Sequence, residues 1–131
     1  MEKVKTITVN VLVIAVAAIL LVWGNTWQRQ RTQFQRGEAA LAAGNYIAAI
    51  AGYESAIHMY TPGSSTVERS AEQLWALGEA FERKSDPTRA LVAYRSLRSS
   101  FYAVRGLNSP GKTWIARCDV KIAFLVQQRQ Q

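Results

Sequence analysis

Cysteine and histidine are almost absent from this chain: Cys118 and His58 are the only ones in 131 residues. A lone cysteine forms no internal disulfide and gives no thiolate cluster for a metal, and a lone histidine supplies no pair of imidazole ligands. The fold must therefore hold by packing, with no redox compartment implied by cysteine usage. Cys118 reads as a small packed side chain, and His58, beside Met59 and Tyr60, as a surface or half-buried position. Acidic residues are also scarce, nine Asp and Glu against 16 Lys and Arg, for a formal net charge of +7. The length is one small domain's worth.

Charge is missing altogether from one stretch. Between Lys5 and Trp23 runs TITVNVLVIAVAAILLVW, in which only Thr6, Thr8 and Asn10 are polar. As a helix rising about 1.5 Å per residue, residues 6–24 reach roughly the 30 Å of a hydrocarbon core. Trp23 and Trp27 close the stretch where indole rings favour the headgroup boundary, and Arg29, Arg31 and Arg36 follow. A cleaved signal peptide is the rival reading, since MEKVK is a short basic leader. However, LVWGNTW puts bulky residues where a small-residue cleavage site belongs, so residues 1–27 are expected to stay as an anchor. Lys3, Lys5 and the amino terminus draw the short tail inward, whereas Arg29, Arg31 and Arg36 argue the other way. The expectation is a single-pass protein of a bacterial inner membrane with its C-terminal domain translocated; a cytoplasmic domain is the alternative.

The remainder repeats. Aligning RGEAALAAGNYIAAIAGYESAI with LGEAFERKSDPTRALVAYRSLR places Gly37 on Gly78, Glu38 on Glu79, Ala39 on Ala80, Ala49 on Ala90, Tyr53 on Tyr94 and Ala56 on Leu97, every pair 41 residues apart. A helix with a small residue at a crossing point, a turn, and a second helix carrying Ala and Tyr inward make a helical hairpin. The pattern predicts hairpins over about residues 30–62 and 70–104. In GKTWIARCDVKIAFLVQQRQQ, Ile115, Cys118, Ile122 and Leu125 fall on one helical stripe. This predicts a capping helix over about residues 111–129. Ile122, Phe124 and Val126 leave that helix apolar nearly all round, so part of it meets a partner or the membrane surface, or else it is a deeply packed cap. The fold class is all-α: a transmembrane helix, then a hairpin-repeat domain over residues 28–131.

These residues resemble the tetratricopeptide repeat, whose signature is W-x2-L-G-x2-Y followed by Ala, an aromatic and Ala on the second helix. LWALGEAF supplies Leu74, Leu77, Gly78 and Phe81, and RALVAYRSL supplies Ala90, Tyr94 and Leu97. GNYIAAIAGYESAIHMYTP supplies Gly44, Tyr46, Ala49, Tyr53, Ala56 and Pro62. In the third copy Trp114 stands where the family's leading Trp belongs. Two departures stand out: a period of 41 against the family's roughly 34, with TPGSSTVE holding the excess, and two complete hairpins where three or more repeats normally bury a continuous core. The resemblance implies a concave surface lined by first helices, here Phe34, Glu38 and Leu41, then Trp75, Glu79 and Glu82. Phe34 and Trp75 would anchor an apolar segment and the glutamates would receive Lys or Arg; the alternative is that both aromatics pack between hairpins. Family members that grip a C-terminal carboxylate use Lys, Arg and Asn in this groove, and the acidic residues here argue against that ligand.

One motif points elsewhere. GLNSPGKT, residues 106–113, fits G-x-x-x-x-G-K-[ST]. A phosphate loop needs a buried strand ahead of it and a helix behind, but YRSLRSSFYAVR ahead reads as a hairpin's second helix, and 18 residues beyond leave no room for a sheet. The segment reads as a turn in which Ser109 and Pro110 open the next helix, with no nucleotide, no cofactor and no metal. Nucleic acid is not expected either, because Arg89, Arg95, Arg98 and Arg105 spread over several helical faces among acidic neighbours such as Glu68, Glu72 and Asp86. The expected function is not enzymatic. It is a membrane-anchored scaffold or assembly subunit docking another protein, with an anchored chaperone or secretion accessory for extended clients as the alternative.

Overall fold

The computed structural model describes residues 1–61, 65–104 and 110–130. Among the described residues there are five helices and no strand: α1 (Glu2–Ala42), α2 (Tyr46–His58), α3 (Ser65–Arg83), α4 (Pro87–Ala103) and α5 (Lys112–Gln130). The fold is all-α. Helices α1 and α2 form one hairpin, α3 and α4 a second, and α5 lies chiefly against α4. The first helices α1 and α3, with α5, make one layer, and α2 with α4 the other.

The 41-residue repeat is written into the turns. At the end of α1, Gly44 takes the left-handed conformation (φ 77°), its N–H donating to the Leu41 carbonyl (3.0 Å) and the Asn45 N–H to that of Ala40 (2.9 Å). Asn45 then caps α2, accepting from the Ala48 N–H at 3.2 Å. At the end of α3, Ser85 (φ 57°) occupies the matching position, the Asp86 N–H donates to the Phe81 carbonyl (2.9 Å), and Asp86 caps α4 through the Arg89 N–H at 3.1 Å. Both turns close the helix by the same pair of backbone bonds. Ser85 bears a Cβ in a region that disfavours one, so Ser85→Gly should raise stability by about 1 kcal/mol, visible as a higher melting temperature.

The hairpins cross where the alignment put glycine. A Cβ on Gly37 would lie 3.0 Å from the Tyr53 ring, and one on Gly78 2.5 Å from the Tyr94 ring. In each hairpin a tyrosine ring of the second helix therefore lies on the bare backbone of the first. The core continues through Ile57, Leu74, Leu91, Leu97 and Phe101, all buried. Along α5, Cys118 and Leu125 are buried and Ile115 and Ile122 half-buried, the stripe the spacing called for. Burial first, and then the neighbouring Asp119 carboxylate, push the Cys118 thiol up to about 12. It should resist thiol reagents at neutral pH in the folded chain and react once the chain is denatured, which a labelling time course reads directly.

The division at residues 27 and 28 falls inside α1, which runs as one helix of 41 residues, about 60 Å long. Two helix starts differ from expectation. Helix α3 begins at Ser65 instead of about 70, so part of the excess over a shorter repeat is helical overhang. Pro110 does not open α5: Gly111 follows in the left-handed conformation (φ 79°), and α5 begins at Lys112 with the Ile115 N–H bonded to the Gly111 carbonyl at 2.9 Å. Pro62 and residues 105–109, including Arg105 and the first four residues of GLNSPGKT, lie outside the described residues. The element ahead of that match is the helix α4.

The N-terminal part of α1 is long and apolar enough to cross a membrane, and none of its apolar window is buried. Ile14, Leu21, Trp23 and Trp27 are all exposed. A core helix of a water-soluble protein would cover such a stretch. Where packing begins, Gln30 is fully buried and its Nε2 donates to the carbonyls of Ala56 (3.1 Å) and Met59 (2.9 Å) in the last turn of α2. Those carbonyls have no partner further along their own helix, so Gln30→Ala should cost about 1–2 kcal/mol, measured by thermal or denaturant unfolding.

Candidate protein-docking site

The inner layer carries the positions expected to bind a partner, and the structure divides them into two groups. Phe34 is 6% exposed. Its ring tilts against Tyr53 with centroids 5.7 Å apart, and the Arg69 guanidinium covers it at 4.7 Å. Trp75 is half-buried, edge-on to Tyr94 at 4.9 Å and tilted against Trp114 at 6.0 Å, with the Arg117 guanidinium over it at 4.2 Å. Each aromatic is thus wedged against its own hairpin's tyrosine and roofed by an arginine from the next first-layer helix. They are joints between successive hairpins, the packing alternative, and do not stand free as anchors. Leu41 is half-buried and packs against the core.

The carboxylates remain on the open side. Glu38 accepts from the Tyr53 hydroxyl at 2.9 Å. Glu82 accepts from the Tyr94 hydroxyl at 3.2 Å and from Lys121 Nζ at 2.8 Å. Burial, and then the adjacent carboxylate, raise both tyrosine pKa values, so the phenols stay protonated donors. Glu79, the repeat partner of Glu38, is half-buried and makes no hydrogen bond or ion pair to any described residue. A cation arriving at Glu79 therefore displaces no internal partner. On α5, Phe124 is exposed while Ile122 and Val126 are half-buried, so the apolar face foreseen there is only partly open. Trp23, Trp27, Arg29 and Arg31 are all exposed, with Arg31 5.5 Å from the Trp27 ring.

Sequence reasoning missed two features of this surface. Arg117 and Lys121 line α5 beside Trp114, and the three- and four-residue spacings that put them on one face were present to be read. At the far ends of the hairpins, Tyr46, Ile47, Ile50, Phe81 and Val92 line an apolar cleft of about 440 Å³. Its signal is the pair of exposed β-branched residues, Ile47 and Val92, on otherwise amphipathic helices. Among the described residues no group of three His, Cys, Asp or Glu is placed to hold a metal ion. The chain matches no known protein-family model, no curated protein and no solved structure.

Proposed function

We propose that the chain is a membrane-anchored docking subunit built on tetratricopeptide-like hairpins, holding another protein of a membrane complex against the α1/α3/α5 layer. The observation that carries this reading is the pair of half-buried carboxylates Glu38 and Glu79, set at equivalent places on two hairpins with matching glycine crossings and capped turns. Adjacent first helices repeat a binding position at regular spacing, which suits an elongated partner with Lys or Arg side chains. The apolar helix is the anchor, placed in a bacterial inner membrane with the domain on the translocated side. Anchoring confines the domain to the bilayer surface and so raises its effective concentration for membrane partners. Placement of this kind needs no reaction, cofactor, nucleotide or nucleic acid.

Photo-crosslinking in native membranes tests the assignment. A photoreactive residue at Glu79 should give one dominant adduct, whereas the same residue at the exposed Arg95 on α4 should give none. Equal adducts from both positions would remove the inner layer as the docking face. The apolar cleft at Ile47 and Val92 favours a second reading, an anchored chaperone for extended clients, which predicts a smear of adducts in place of one band.

A further inference from the structure

The anchor and the first helix of the domain are one continuous helix, α1, and this fixes how the domain stands on the bilayer. Three side-chain contacts measure the height of each neighbouring element along α1. Gln30 lies three residues, about 4.5 Å, beyond Trp27 and holds the Ala56 and Met59 carbonyls, so the last turn of α2 shares its level. Arg69 covers Phe34, and Ser65, four residues earlier on a helix running the same way as α1, returns to the level of Gln30. Trp114 Nε1 donates to Glu68 at 3.0 Å, which brings the start of α5, with exposed Lys112, down beside the start of α3.

A hydrocarbon core of about 30 Å inside a bilayer of about 40–45 Å leaves some 6 Å of headgroup layer on each side. With the hydrocarbon edge between Trp23 and Trp27, the level of Gln30 lies about 4.5 to 10.5 Å beyond it, within that layer or at its outer face. Resting on the anchor reading above, we propose that this end of the bundle, formed by His58, Ser65 and Lys112, is a lipid-docking surface seated among anionic headgroup phosphates of the membrane α1 enters. The charge suits that occupant: Arg29, Arg31 and Lys112 are exposed at this end, while Arg69, over Phe34, and Glu68, bonded to Trp114, stand about a turn higher. The inner layer then opens sideways, parallel to the membrane plane, so its partner must approach along the surface. The apolar cleft at Ile47 and Val92 points away from the lipid.

The test uses the full chain in vesicles of phosphatidylcholine and phosphatidylglycerol bearing a trace of nickel-chelating lipid. Nitroxide labels are placed at His58→Cys, at Thr88→Cys on the opposite end, and at Val16→Cys within α1; the buried Cys118 does not compete for label. The proposal expects headgroup nickel to relax the residue 58 label several-fold more than the residue 88 label. A seven-residue helical insert between Gln28 and Arg29, which lifts the domain about 10 Å with little rotation, should abolish the difference. Equal relaxation at 58 and 88, with the residue 16 label shielded from a water-soluble nickel complex, would overturn the docking and leave the anchor standing. Accessibility of residue 16 to that complex would overturn both. A difference at 58 that survives the insert, or that is unchanged in vesicles of phosphatidylcholine alone, would also overturn it, because height in the first case, or net anionic charge in the second, would then not matter.

Discussion

Gly52→Val separates the first hairpin and destabilises the domain by about 3 kcal/mol. A Cβ at residue 52 would lie 2.7 Å from Gly37 Cα and N and 2.9 Å from the Gln33 carbonyl oxygen. All three are backbone atoms of α1, so no side chain can swing aside, and the two helices must move apart. Separation loosens the Phe34–Tyr53 contact and the Gln30 clamp together. Valine's helix propensity exceeds that of glycine by only about 0.5 kcal/mol, too little to offset the clash. Against a typical margin of about 5–15 kcal/mol, the loss is large. Thermal unfolding followed by helical signal, in detergent, should show a strongly lowered transition, with the residual signal of the apolar part of α1 retained; an unchanged transition would mean the helices cross elsewhere.

Tyr94→Ala should cost about 3–5 kcal/mol, whereas Tyr94→Phe should cost about 1 kcal/mol. The ring is fully buried, lies on Gly78 and meets Trp75 edge-on. Its truncation leaves a cavity at the joint where α3, α4 and α5 meet. Removing only the hydroxyl costs Glu82 one of two donors, because Lys121 stays at 2.8 Å. Denaturant titration of both variants separates packing from hydrogen bonding. A Phe variant as damaged as the Ala variant would put the hydroxyl, and not the ring, at the centre of the joint.

The parts of the fold legible in the sequence are those where geometry demands a residue type. Gly37, Gly78, Tyr53 and Tyr94 announced the crossings because only glycine leaves space for a ring on the backbone. Boundaries were less legible. QRQRTQFQR contains no breaker, so nothing stops α1 where the apolar stretch ends, although polarity alone suggests a division there. The sequence pattern starts the last helix at Gly111, whereas its left-handed φ and the Phe101 ring, 2.2 Å from any Cβ, make it the turn before that helix. Phe34 and Trp75 look the same in sequence whether they line a groove or a joint; Arg69 and Arg117, brought from other helices, decide the matter. The tyrosine partners differ for a similar local reason. Leu41 stands where the second hairpin has Glu82, so Tyr53 turns to Glu38.

The central claim, that an anchored hairpin domain holds one protein through its carboxylate face, is tested most directly by isolating the full-length chain from its native membranes in mild detergent. Stoichiometry by quantitative mass spectrometry and the size of the intact complex would be compared with those of Glu79→Lys. The account predicts one partner at a fixed ratio, lost in the variant while the helical signal is unchanged. A diffuse set of substoichiometric clients, bound equally by both proteins, would contradict it.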